Sequence, residues 1–144
     1  MRRQYRLHRD PRPHRIDAGP ASCRRAGSAR WVAVGVIRQL RIYEIFERNK
    51  AAFHDRFRDH ALRIMARHGF HVLSTWETAH AGRTEFAYIL EWPDVETKER
   101  AWRAFLADEE WREIKRQTAA AHGDLVGEIE DRVLAETGYS PKLL

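Results

Sequence analysis

Cysteine is almost missing from this chain of 144 residues: Cys23 stands alone. One cysteine excludes an intrachain disulfide and a cysteine-built zinc site, and it suits a reducing cytoplasm. No apolar run approaches the ~18 residues a membrane-spanning helix needs. No apolar stretch marks a secretory signal. A His-Glu-x-x-His run is absent, as is a phosphate-cradling glycine loop. Ser74 and Ser140 have no visible base partner, so nucleophilic catalysis has no support. The length fits one domain with a real core.

The net charge of +5 is unevenly spread. Residues 1–33 hold nine arginines against Asp10 and Asp17, a net +7, whereas residues 34–144 hold 17 basic and 19 acidic residues, a net −2. The first 33 residues also contain Pro11, Pro13, Pro20, Gly19 and Gly27 and almost no aliphatic side chains. Such a segment buries too little to offset its ordering entropy, so disorder is expected. Three readings fit it: an arm touching nucleic acid or acidic lipid, an organelle-targeting peptide, or sequence upstream of the true start. The division expected is therefore an Arg-rich extension over 1–33 and a folded domain over 34–144.

Within that domain the periods alternate in one order. Val36–Ile45 reads as a strand, with Leu40 and Ile42 on one face and Gln39, Arg41 and Tyr43 on the other. Asn49 suits an N-cap. Phe53, Phe57, Ala61, Ile64 and Met65 recur at helical spacing, with Arg56, Arg58, Asp59 and Arg63 on the wet side. Gly69 suits the left-handed residue that ends this helix. Strands follow over 70–78 and 85–92, with Ala81 to Arg83 turning between them. Asp94 and Asp108 each suit an N-cap, and Val95, Trp102, Phe105, Trp111 and Ile114 mark the buried stripe of a second helical stretch. A last strand runs from Leu125 to Leu134. The order βαββαβ predicts an α+β, ferredoxin-like fold: a four-stranded antiparallel sheet with both helices on one face.

These residues resemble the NIPSNAP family over roughly 36–141. The resemblance rests on Ile42–Ile45 (Ile-Tyr-Glu-Ile), Phe57–His60 (Phe-Arg-Asp-His), Arg67–Phe70 (Arg-His-Gly-Phe), Glu91–Asp94 (Glu-Trp-Pro-Asp), Asp108–Trp111 (Asp-Glu-Glu-Trp), Glu130–Leu134 and the closing Tyr139–Pro141 (Tyr-Ser-Pro). Two positions depart from it: Tyr88, where the family often has histidine, and Asp108-Glu109, where it often has Asp-Pro. The resemblance implies a dimeric α/β barrel, with mitochondrial and vesicle or mitophagy roles in eukaryotic members. It defines no reaction. A cofactor-independent oxygenase or oxidoreductase activity follows only by analogy with related barrels.

Arg41 and Tyr43, with Phe86, Tyr88, Leu90 and Trp92, are expected on the helix-free face. Such a patch calls for a twin subunit, sheet against sheet, giving a homodimer. Arg41 cannot be sealed in unpaired, and Glu85 or Glu128 are natural partners. A ligand pocket on that face is therefore expected, formed by Arg41, Tyr43, Trp76, Tyr88 and Trp92, with His60 reaching in from the first helix. Its guest would be small, partly apolar, and anionic or carbonyl-bearing. No catalytic residue, metal or cofactor is nominated: His60 and His68 lie about 80° apart on the helix, and the pairs Glu109/Glu110 and Glu128/Glu130 fit a helix start and a wet strand face. Two other classes compete. One is a non-catalytic protein-interaction or scaffold module. The other is an RNA-recognition domain, which has the same strand order and an aromatic third strand resembling Phe86–Ile89. The acidic folded part argues against nucleic acid.

Overall fold

The computed structural model describes residues 35–142. The Arg-rich segment 1–33 lies outside the described residues. Four strands form one antiparallel sheet: β1 (Ile37–Ile45), β2 (His71–His80), β3 (Arg83–Trp92) and β4 (Val126–Ala135), ordered β2-β3-β1-β4. Between β1 and β2 run α1 (Lys50–Arg56), a π-helical turn (Phe57–Ala61) and α2 (Leu62–Arg67). Between β3 and β4 run α3 (Val95–Ala107) and α4 (Glu109–His122). This is the expected βαββαβ topology. No described helix is long and apolar enough to cross a membrane.

Local chemistry explains the boundaries. Asp94 caps α3 by accepting the Thr97 N–H at 2.6 Å, and Asp108 caps α4 by accepting the Trp111 N–H at 3.0 Å. The β2–β3 hairpin turns in two residues, Ala81 and Gly82, with φ of 50° and 74°; two left-handed residues match the twist of the flanking strands. Asn49 is not the expected side-chain cap. A 3₁₀ turn, Glu47–Asn49, precedes α1, and the buried Asn49 amide instead donates to the carbonyls of His122 and Asp124 at 2.9 and 2.7 Å. It ties the start of α1 to the end of α4. The π turn was not anticipated, since hydrophobic spacing alone does not separate it from an α-helix.

The two sheet faces are the reverse of the expectation. Ile37, Gln39, Tyr43 and Ile45 of β1 and Phe86, Tyr88, Leu90 and Trp92 of β3 face the helices, where they build the core with Phe53, Phe57, Ile64, Phe70, Phe105 and Trp111. The Phe53 and Phe57 rings meet Phe86 at 5.1 and 4.7 Å, and Phe70 meets Trp92 at 4.8 Å. The physical reason is area. The helices bury the sheet face they cover, so the bulkier alternate set belongs under them. The uncovered face carries the smaller set, Leu40, Ile42, Ala87 and Ile89, with Trp76 of β2 beside Ala87.

Candidate functional site

The polar centre of the molecule lies between sheet and helices. Arg41 of β1 and Asp131 of β4 are register partners, and Arg41 Nη1 donates to Asp131 Oδ2 at 2.6 Å. This pair replaces the expected Glu85 or Glu128, which hold Arg83 instead. The Arg41 guanidinium also lies 4.6 Å over the Trp102 ring of α3, a cation–π contact strengthened by partial desolvation. Arg41 Nη2 donates to the Tyr43 hydroxyl at 3.1 Å, and that hydroxyl is 2.8 Å from the Tyr88 hydroxyl. Arg41 Nε–H is enclosed and has no acceptor among the described residues.

Gln39 fixes the surroundings. It is fully buried. Its Nε2 donates to both Asp131 oxygens at 2.9 Å, and its Oε1 accepts the indole N–H groups of Trp92 and Trp102 at 3.0 and 2.8 Å. One amide thus orients the carboxylate that holds Arg41 and the indole beneath it. The sequence reading grouped Gln39 with Arg41 and Tyr43 but gave it no role.

Burial alone would lower the Arg41 pKa, but Tyr43, Tyr88 and Asp131 outweigh it and hold the group above its ordinary value. Tyr88 is pushed well above the usual phenol value, first by burial and then by Tyr43. At neutral pH the centre is a fixed cation beside a neutral Tyr88. A groove of about 380 Å³ opens beside it, lined by Arg41, Lys98, Glu99, Trp102, Arg103, Leu106 and Asp131.

Of the residues nominated from sequence, Arg41, Tyr43 and Tyr88 are joined directly, and Trp92 joins through Gln39. All four sit on the helix side, which corrects their assignment to the helix-free face. Trp76 is apart, half-exposed on the opposite face. His60 lies in the π turn with Arg63 as its neighbour, Nδ1 to Nη2 3.4 Å, and no hydrogen bond ties it to the Arg41 group. Because Phe86 and Tyr88 are buried under helices, the bare sheet offers no aromatic pair on which bases stack, and the RNA-recognition reading loses its platform. Among the described residues no cluster of His, Cys, Asp or Glu is arranged to hold a metal.

Sequence reading also misplaced Arg56. It counts as wet by helical period, yet it is half-buried, its guanidinium 5.6 Å from the Trp111 ring of α4. Burial pulls its pKa below the ordinary value, against an opposing influence from nearby Tyr43.

An antiparallel four-stranded sheet with helices on one face, built in the order βαββαβ, defines the ferredoxin-like class of α+β proteins. The NIPSNAP family model matches residues 38–141. The chain therefore belongs to the NIPSNAP family. No curated protein matches it. Among solved structures, an uncharacterized NIPSNAP-like domain protein from Burkholderia xenovorans is 20% identical with a TM-score of 0.64, covering 77% of this chain and 93% of that one. A NIPSNAP family protein from Agrobacterium tumefaciens strain C58 is 17% identical with a TM-score of 0.63, covering 74% and 97%. A second from the same strain, described as of unknown function, is 14% identical with a TM-score of 0.63, covering 75% and 94%. At these identities the likeness establishes the fold.

Proposed function

We propose that this protein is a homodimer that binds a small, partly apolar molecule on the helix side of each sheet, in the groove beside Arg41, Trp102 and Asp131. One observation carries the reading. A part-buried arginine is held against an indole by a carboxylate that a glutamine orients, with a groove at its edge. An arginine kept only for stability is seldom worth such support, because a partly desolvated ion pair stabilises little beyond an apolar substitute. Apolar walls with a few fixed polar groups are the usual form of a ligand site. The single cysteine suits action in the cytoplasm. No chemical step is assigned to the site.

The partner for the uncovered face is a second copy. Leu40, Ile42, Ala87 and Ile89 form its apolar middle. Arg38 with Glu91 and Arg83 with Glu44 and Glu85 sit at its two ends. A two-fold axis through the middle sets each end against its counterpart, a self-complementary arrangement. Sedimentation at micromolar concentration tests the dimer: Ile89→Glu places a charge in the middle and yields monomers, whereas a dimer unaffected by it removes this interface. A thermal-shift screen of small aromatic and aliphatic oxo compounds tests the groove. Hits that raise the melting temperature of the wild type but not of Arg41→Met, with the dimer intact, support it. Hits that act equally on both contradict it.

A further inference from the structure

Resting on the groove reading, we infer that the guest is a small aromatic hydroxy acid, its carboxylate received by Lys98 of α3 and its hydroxyl by Asp131 of β4. Two observations on different walls of the groove lead there, one of charge and one of hydrogen-bonding capacity.

The first is charge. Arg41, Lys98 and Arg103 line the groove against Glu99 and Asp131, which leaves a positive surplus. Arg41 is answered by Asp131 at 2.6 Å. Glu99 and Arg103 are both exposed and stand at i and i+4 on α3, the spacing at which opposite charges offset each other. The surplus therefore belongs to Lys98. Lys98 is half-buried, and the other half-buried lysines among the described residues have a visible reason for their place. Lys50 pairs with Glu47 and Glu77 at 3.9 and 2.6 Å, and Lys115 lies 5.9 Å from the Trp111 ring. Lys98 has no carboxylate within ion-pair reach, and no ring beneath it, among the described residues. It stands about one helical turn before Trp102 and lines the same groove as Trp102 and Leu106. An ammonium has three donors and no acceptor. A carboxylate is the group that this one lacks.

The second is an open acceptor. Asp131 Oδ2 accepts from both Gln39 and Arg41, whereas Oδ1 accepts from Gln39 alone. Each carboxylate oxygen has two acceptor positions, so Oδ1 keeps one free. The Asp131 side chain is 41% exposed and lines the groove. The Trp102 indole N–H is already taken by Gln39, so it does not fill that position. An acceptor left open on this wall selects a guest that donates. A hydroxyl does so without bringing a second positive charge beside Arg41, as an ammonium would. Between Lys98 and Asp131, Trp102 and Leu106 offer apolar surface to a flat body. An aromatic ring with an acid at one end and a hydroxyl at the other meets all three.

Calorimetric titration of the full chain with 4-hydroxybenzoate, neutral 4-hydroxybenzamide and benzoate tests the two ends separately. The wild type is expected to bind 4-hydroxybenzoate about tenfold more tightly than the amide, which lacks the charge, and about fivefold more tightly than benzoate, which lacks the hydroxyl. Lys98→Gln should erase the preference for acid over amide and leave the unliganded melting temperature unchanged, since no ion pair is lost. Arg100 is exposed on α3 and does not line the groove. Arg100→Gln removes the same charge and should leave all three affinities unchanged. A preference for the acid that survives Lys98→Gln, or that falls equally in Arg100→Gln, overturns the role of Lys98. Benzoate binding as tightly as 4-hydroxybenzoate overturns the role of Asp131. If the three compounds bind alike and Arg41→Met abolishes all of them, the groove stands and this inference falls. If none binds at millimolar concentration, the groove reading falls with it.

Discussion

Replacing Gln39 by leucine keeps the side-chain volume and removes four hydrogen bonds at once. Their costs differ, and the structure separates them. Trp92 is buried, so its orphaned indole N–H bears the full penalty for an unpaired buried donor, about 2 kcal/mol. The Trp102 indole is partly exposed and recovers some hydration, so its share is about 1 kcal/mol. Asp131 is 41% exposed and keeps Arg41, so water replaces the two lost amide bonds at little cost. The expected loss is about 3 kcal/mol, or roughly 10 °C in melting temperature for a domain of this size. Urea unfolding at fixed protomer concentration measures it, since the proposed dimer would make apparent stability depend on concentration. Gln117→Leu is the control. Gln117 lies exposed on α4 with one bond to Glu113 at 2.8 Å, and its replacement should stay within about 0.5 kcal/mol. A Gln39→Leu loss below about 1 kcal/mol, equal to the control, would refute the claim that this amide organises the polar centre.

Two further predictions concern the frame around the site. A Cβ on Gly127 would lie 2.5 Å from Glu44 Oε2 and 3.2 Å from Phe46 Cζ, where Glu44 accepts the Glu128 N–H across the irregular end of the β1–β4 ladder. Gly127→Ala should cost about 1–3 kcal/mol, and adding Glu44→Ala should recover part of it in a double-mutant cycle. Asp108 accepts from His68 and Arg67 as well as from the Trp111 N–H, and these partners, His68 first, hold its carboxyl well below the ordinary value of 3.8. A depressed carboxylate contributes stability that is complete above its unfolded value and is lost as pH falls toward the folded one. Asp108→Asn should therefore differ most from the wild type near neutral pH, with the gap closing as unfolding is measured below about pH 4; a gap that widens on acidification would show that the charge of Asp108 does not act this way.

What the sequence made legible was local. The strand order followed from period, the hairpin from Ala81-Gly82, and the helix starts at Asp94 and Asp108 from side chains that act within three residues. What it hid depended on distance. Gln39, Arg41 and Tyr43 were correctly grouped on one face of β1, but alternation alone does not say which face meets the helices. Arg41 was matched with Glu85 or Glu128, and its answer, Asp131, lies 90 residues further on. Arg56 sits on the flank that a two-layer count leaves wet, and only the position of Trp111 on α4 covers it. Trp76 looked equivalent to Trp92, yet β2 and β3 present these two indoles to opposite sides of the sheet. Resemblance to the family pointed to the architecture and left these contacts undetermined.

Indole resonances in ¹⁵N-labelled protein give the most direct test of the site's location. Trp102 lies at the groove with its N–H on Gln39, and Trp76 lies on the uncovered face. Adding sodium benzoate should move the Trp102 signal and leave the Trp76 signal in place. Movement of Trp76 with an unperturbed Trp102 would put the ligand on the opposite face and contradict the account.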